Sequence, residues 1–295
     1  MSILSAVILG AVQGLTEFLP VSSSGHLVLL QKIFGIAEPV LFFDTMVHAG
    51  TLAAVFAVLR RDIWNILRRI IQPLTAYLII GTLPAVIAAL LFKDHIERAF
   101  ASGNFLGFAF LGTAGLLAAS EFFSRKAGKA AAGAAASAVP ASAVPASAGT
   151  PAGRQGPFSG CTAAGMKWTD ALIIGIFQAV AIVPGISRSG ATLSGSLFRR
   201  LDRDFAARFS FLLSIPAVLG ALVLQIKDIA GGAGTAGIGA APIAAGTLTA
   251  AIAGFFSVKL MLKIVRERSL AGFSVYTAVL GILVLIEEFG TRFFF

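Results

Sequence analysis

Two short segments gather most of the residues that could do chemistry. The first runs Gln13-Gly14-Leu15-Thr16-Glu17-Phe18-Leu19-Pro20-Val21-Ser22-Ser23-Ser24-Gly25-His26 and sits within a long apolar stretch. Gln13 and Glu17 are i, i+4 neighbours, so they share one helix face before Pro20 breaks it. A carboxylate in an apolar layer costs about 2.5–3.5 kcal/mol, so it normally faces a cavity or a partner. Ser22-Ser23-Ser24-Gly25 has the form of a helix N-terminus, with free N–H groups and a positive dipole end. Any one serine can simply cap. Three need not cap one helix, and with Glu17 and His26 beside them a hydroxyl nucleophile served by a general base is the second reading.

The second segment runs Pro184-Gly185-Ile186-Ser187-Arg188-Ser189-Gly190-Ala191-Thr192. Gly185 and Gly190 allow close backbone approach, and Ser187, Ser189 and Thr192 supply hydroxyls. Arg188 offers a planar fork suited to phosphate oxygens. Facing helix ends with one arginine favour an anion site over a simple Arg188–Glu17 pair. The residues lack the Gly-Lys-Ser/Thr ending of a Walker loop and the Cys/His clustering of a zinc site. Asp44 and His48 form another i, i+4 pair, either supporting the site or making an ordinary intrahelical contact.

The elements that must hold these residues follow from composition. Of 295 residues, 57% are hydrophobic and 13% charged, about half the charge fraction of a soluble domain. That excludes an ordinary cytosolic enzyme, a secreted disulfide scaffold and a disordered chain, and indicates a polytopic membrane protein. One cysteine, Cys161, leaves no intramolecular disulfide. No cleavable leader is evident at Met1-Ser2-Ile3-Leu4. Full spans are expected near 40–59, 77–92, 105–120, 205–225, 240–258 and 270–286. The stretches 3–31 and 169–198, broken by Pro, Gly and Ser, are expected to be re-entrant hairpins, since broken backbone survives at membrane depth only against protein or a wet cavity.

With that topology, loops near 60–76, 124–168, 199–208 and 259–268 share one side and carry 17 of the 23 basic residues, against five on the other. The net charge of +9 is therefore read as a positive-inside signal, not as nucleic-acid affinity. It places the first hairpin and both termini outside. Glu121, Glu287 and Glu288 lie near span ends and are read as interfacial. Residues 124–166, with a low-complexity Ala/Gly/Ser/Pro run at 127–153, are expected to be a flexible cytoplasmic linker. It separates halves 1–123 and 167–295, which repeat at an offset of 165. Gly10 through Gln13 match Gly175 through Gln178, Ser22 matches Ser187, and Ser24-Gly25 match Ser189-Gly190. The expected fold is all-α: two inverted repeats, each one re-entrant hairpin plus three transmembrane helices, with the site where the hairpin tips meet.

At the two hairpins the sequence resembles the bacterial undecaprenyl-diphosphate phosphatase family, the bacitracin-resistance type, and the likeness extends over nearly the whole chain outside 124–166. The resemblance implies hydrolysis of a polyprenyl diphosphate to the monophosphate plus phosphate, recycling the lipid carrier of cell-wall synthesis. By position, Glu17, Ser23, His26 and Arg188 match the family's catalytic residues. Gln13, Ser22, Ser187, Ser189 and Thr192 match residues around the phosphate, and Ser24, Gly185 and Gly190 belong to the same phosphate-binding set. Gln13 is an amide where many relatives have a second carboxylate. A divalent cation, Mg²⁺ or Ca²⁺, is also implied, with Glu17 or the substrate oxygens as ligands.

On this basis Ser23 attacks the terminal phosphorus and Glu17 or His26 accepts its proton, the competing version being attack by an activated water. The Ser-Arg-x5-His signature of other integral lipid-phosphate phosphatases is not met, because Ser194 stands where its histidine should. A transporter or flippase of an anionic lipid is the alternative from a different class. The expected partners are the polyprenyl diphosphate, the membrane and a second copy of the chain in a homodimer, with no nucleic acid. The expected location is the bacterial inner membrane, with the site open to the extracytoplasmic side.

Overall fold

A computed structural model of the protein describes residues 1–36, 41–92, 95, 96, 98, 105–137, 165–230 and 238–291. Those residues form helices and turns without a strand. In chain order the helices are α1 (Ile3–Phe18), α2 (Ser23–Ile33), α3 (Leu41–Val58), α4 (Arg60–Arg68), α5 (Pro73–Leu91) and α6 (Leu106–Ser137), then α7 (Trp168–Val180), α8 (Arg188–Phe198), α9 (Arg203–Ala230), α10 (Ala240–Glu267) and α11 (Ala271–Ile286). A π-helical turn at Glu287–Thr291 follows.

Both stretches expected to be broken are so: α1 and α2, and α7 and α8, are short helices joined by a non-helical turn. α1 starts on Ser2, whose Oγ accepts the Ser5 N–H, and stops before Pro20. α2 and α8 start on equivalent serines: Ser22 Oγ accepts the Gly25 N–H at 3.2 Å and Ser187 Oγ accepts the Gly190 N–H at 3.0 Å. With 16 and 13 residues, α1 and α7 reach only about 20–24 Å at 1.5 Å per residue, short of a hydrocarbon core of about 30 Å.

Among the described residues, five helices (α5, α6, α9, α10 and α11) are long and apolar enough to cross a membrane. A sixth is obtained if α3 and α4, bent by 79° at Leu59, count as one span. On α5, Ile79, Ile87, Leu90 and Leu91 are each more than half exposed, a surface that lipid rather than water would cover. The chain is therefore a multi-pass membrane protein.

One expectation needs correction. The linker does not begin at 124, because α6 continues through Arg125 and Lys126 to Ser137. Alanine, which dominates 127–137, has the highest helix propensity and prolongs the span. The rest of the linker, 138–164, lies outside the described residues. Glu121, near the end of its span, is 4% exposed and pairs with the equally buried Arg203.

Packing is reciprocal between the halves. α1 lies on α10 and α7 lies on α5, each at a glycine–glycine crossing. A Cβ on Gly10 would stand 2.2 Å from the Gly246 carbonyl oxygen, and one on Gly175 2.5 Å from that of Gly81. Small residues let membrane helices approach this closely, gaining dispersion contacts that lipid cannot match. Gly10→Ala is accordingly expected to lower stability by about 1–3 kcal/mol or more, since it meets backbone that no rotamer change can clear. Gly112→Ala, which meets nothing within 4 Å in α6, should be neutral or slightly stabilising. Thermal melting of both variants in detergent checks the contrast, and equal melting temperatures would refute the packing argument.

Candidate active site

The two broken turns meet, and each has a local reason to fold as it does. On α1, Gln13 Nε2 donates to Glu17 Oε2 at 3.0 Å, and both side chains are buried. After Pro20 the chain reverses through Ser22, whose φ of +71° is costly for a non-glycine residue. Its carbonyl oxygen secures that conformation, accepting the His26 backbone N–H at 3.2 Å and lying 2.6 Å from His26 Nδ1. The reversal makes Ser23 the first residue of α2 and brings its Oγ to 2.5 Å from Glu17 Oε2.

From the other half, Gly185 (φ +88°) passes so close to α6 that a Cβ would lie 2.7 Å from that of Ala109, so only glycine fits. Its N–H donates to Ser24 Oγ at 3.3 Å. The Ser187 N–H donates to Thr113 Oγ1 at 3.0 Å, anchoring the start of α8 on α6. Arg188, the first residue of α8, places Nη2 2.5 Å from Glu17 Oε1. Ser189 Oγ donates to the Leu19 carbonyl at 3.1 Å.

Beside these groups is a cavity of about 370 Å³. Its polar wall is formed by Glu17, Ser23, Ser24, Asp44, His48 and Arg188. Leu27, Val28, Ile186, Val218 and Leu222 give the rest an apolar lining. The first N–H groups of α2 and α8 precede any intrahelical acceptor, so two positive helix ends and a guanidinium surround one carboxylate. A tetrahedral anion entering here would meet donors on two sides, a hydroxyl and a base.

The sequence-derived residues divide into three groups. Glu17, Ser23, Ser24, Ser187 and Arg188 line the cavity. Gln13, Ser22, Gly185, Ser189, Gly190 and Thr192 do not; they build the turns. Gln13 stands behind Glu17, the Gly190 N–H is taken by its cap, and Thr192 Oγ1 reaches Ser210 Oγ at 2.5 Å on α9. His26 does not line the cavity either. Its Nε2 is 2.7 Å from the Tyr276 hydroxyl on α11, its ring lies parallel to Tyr276, and Phe110 meets it edge-on. The ring therefore struts the Ser22 turn.

His48 reaches the site instead, with Nε2 3.6 Å from Glu17 Oε2. Asp44 and His48 both line the cavity, one of the two roles left open for them; Gln31 Nε2 donates to Asp44 Oδ1 at 2.7 Å, and His48 Nδ1 lies 2.6 Å from the Asp44 carbonyl oxygen. The contributions of Gln31, Thr113 and Tyr276 were not anticipated. Gln31 and Thr113 stand among apolar residues, which was the one available signal; Tyr276 offered none.

The implied divalent cation would find few protein ligands here: among the described residues no three His, Cys, Asp or Glu side chains cluster, so water and substrate phosphate oxygens would supply most of its coordination. Both Glu17 oxygens are already engaged, one by Arg188 and one by Ser23 and Gln13.

Comparison with known proteins agrees with this architecture. A family model described as bacitracin resistance protein BacA matches residues 6–283. The chain belongs to the BacA family. It is similar to the undecaprenyl-diphosphatase of Carboxydothermus hydrogenoformans, 42% identical over 294 residues that cover 99% of this chain and all of that one. Undecaprenyl-diphosphatase 3 of Bacillus cereus is 40% identical over 289 residues, 98% of each chain. The undecaprenyl-diphosphatase of Methanosphaera stadtmanae is 39% identical over 308 aligned positions, 97% of this chain and 98% of its own. The BacA match spans both hairpins and every helix that lines the cavity.

Proposed function

We propose that the protein hydrolyses undecaprenyl diphosphate to undecaprenyl phosphate and inorganic phosphate, and so supports bacitracin resistance. The observation that carries this reading is Ser23 Oγ, 2.5 Å from a carboxylate whose other oxygen is held by Arg188, on the wall of a largely apolar cavity. A transporter needs the arginine and the helix ends but has no use for a paired nucleophile and base.

In this mechanism the diphosphate settles against Arg188 and the N-termini of α2 and α8, its polyprenyl chain along the apolar wall. Ser23 Oγ attacks the terminal phosphorus as its proton passes to Glu17 Oε2. The bond to the bridging oxygen breaks, and undecaprenyl phosphate leaves with those electrons. Water then attacks the phosphoserine and releases phosphate. Arg188 stabilises charge on the transferring oxygens, usually the largest single contribution. Mg²⁺ or Ca²⁺, implied by the family likeness, would be carried by the substrate, since both Glu17 oxygens are engaged, and would neutralise part of its charge. We place the site on the extracytoplasmic side of the bacterial inner membrane, because 17 of 23 basic residues fall in loops on the opposite side of the expected topology.

The test is phosphate release from a long-chain polyprenyl diphosphate by detergent-purified protein. Wild type is expected to be active. Arg188→Lys, which keeps the charge and loses the fork, should lower kcat by about 10²–10³-fold. No phosphate release by folded wild type, with lipid movement in vesicles instead, would replace the enzyme reading with the transport one.

A further inference from the structure

His48 takes no part in the reaction as written above, yet it lines the same cavity. Its Nδ1 is 2.6 Å from the Asp44 carbonyl oxygen. A carbonyl oxygen only accepts, so Nδ1 carries the hydrogen and the neutral ring presents a bare Nε2. That Nε2 lies 3.6 Å from Glu17 Oε2, the same oxygen that Ser23 Oγ approaches. The distance exceeds a hydrogen bond, as catalytic contacts often do before substrate tightens them.

Four side chains meet the Glu17 carboxylate: Gln13, Ser23, Arg188 and His48. The Gln13 amide donates but takes up no proton, Arg188 is permanently charged, and Ser23 is the group giving its proton away. Only the imidazole can accept. A proton left on Glu17 would also cancel the carboxylate charge that pairs with Arg188 in the largely buried contact between them. On His48, which lines the cavity and is 29% exposed, the same proton sits outside that pair.

We infer that His48 is the second proton carrier of this site, receiving through Glu17 Oε2 the proton that Ser23 gives up. This rests on the phosphatase reading. As the Oγ–P bond forms and the bond to the bridging oxygen breaks, the serine proton moves to Oε2 and then to His48 Nε2. As water's oxygen bonds to phosphorus and the P–Oγ bond breaks, His48 returns the proton by the same route to Oγ. Water's own protons leave with phosphate, so atoms and charge balance over the cycle.

The experiment compares His48→Ala and His48→Asn with wild type in phosphate release. Melting temperature serves as the folding control, and the asparagine variant retains an amide N–H in the region of the Asp44 carbonyl. Both variants should lose about 10²–10⁴-fold in kcat with KM unchanged. Added imidazole should restore turnover to His48→Ala, while pyrrole, the same shape without a basic nitrogen, should not. Turnover retained by either variant, a loss confined to KM, or no selective rescue by imidazole would overturn the inference. An inactive wild type would refute the phosphatase reading itself, which the same plate of assays distinguishes.

Discussion

Ser23→Ala is expected to leave a folded protein whose phosphate release falls by roughly 10⁴-fold or more. The fold should survive because Ser23 does not cap α2; Ser22 does, through the Gly25 N–H. What the substitution removes is one hydroxyl bonded to Glu17 Oε2, and that oxygen keeps the amide of Gln13. A side-chain hydrogen bond is worth about 0.5–1.5 kcal/mol net, so the melting temperature should move little. Chemistry loses its nucleophile altogether. Turnover from polyprenyl diphosphate labelled in the terminal phosphate, measured beside a melting curve, separates the two effects. Acid-quenched wild type should carry label on Ser23 and nowhere else. If the alanine variant kept activity within tenfold, water would be the attacking group and Ser23 a ligand.

The largest stability effect is expected far from the cavity. Glu121 Oε2 lies 2.8 Å from Arg203 Nη2 and accepts the Leu270 N–H at 3.4 Å, while Arg203 Nη1 donates to the Arg268 carbonyl at 3.0 Å. Both side chains are 4% exposed, so α6, α9 and the α10–α11 turn are tied by charges that water does not reach. Glu121→Ala leaves Arg203 buried without its carboxylate and should cost about 3–5 kcal/mol. Arg125→Ala removes the other, mostly exposed partner of Glu121 and should cost no more than about 1 kcal/mol. Replacing both buried members by methionine should recover most of the loss, because the penalty lies in the orphaned charge and not in the missing pair. Equal melting of Glu121→Ala and wild type would remove this argument.

The sequence made the hairpins legible because proline, glycine and serine break helices through local sterics, which need no knowledge of the neighbours. Spans were legible from hydropathy, as one solvent imposes one rule. The residues that converge on Glu17 were half legible. Gln13 and Arg188 announce themselves by polarity, but the turning of His26 toward Tyr276 depends on α11, 250 residues away. The α4 sequence reads as loop, since its arginines hide an amphipathic turn after the bend at Leu59. A second stretch of the repeat also escaped notice. Gly81-Thr82-Leu83-Pro84-Ala85 and Gly246-Thr247-Leu248-Thr249-Ala250 lie 165 residues apart, the same offset as the hairpins. Within apolar spans such a match looks like common composition. It gains meaning only when each glycine is seen against the first helix of the other half.

That exchange of partners bears on how the protein is made. The groove for α1 is built by Gly246 on α10, which leaves the ribosome 236 residues after Gly10, roughly 12–50 seconds later at 5–20 residues per second. Throughout that interval α1 lacks its groove, and Glu17 also lacks Arg188 until that residue is added, 58 residues before Gly246. Neither half can be completed before the other exists, so the two are proofread together at the end of synthesis. A chain truncated before Arg188 leaves Glu17 without its counter-charge, and one truncated before α10 leaves α1 without its groove.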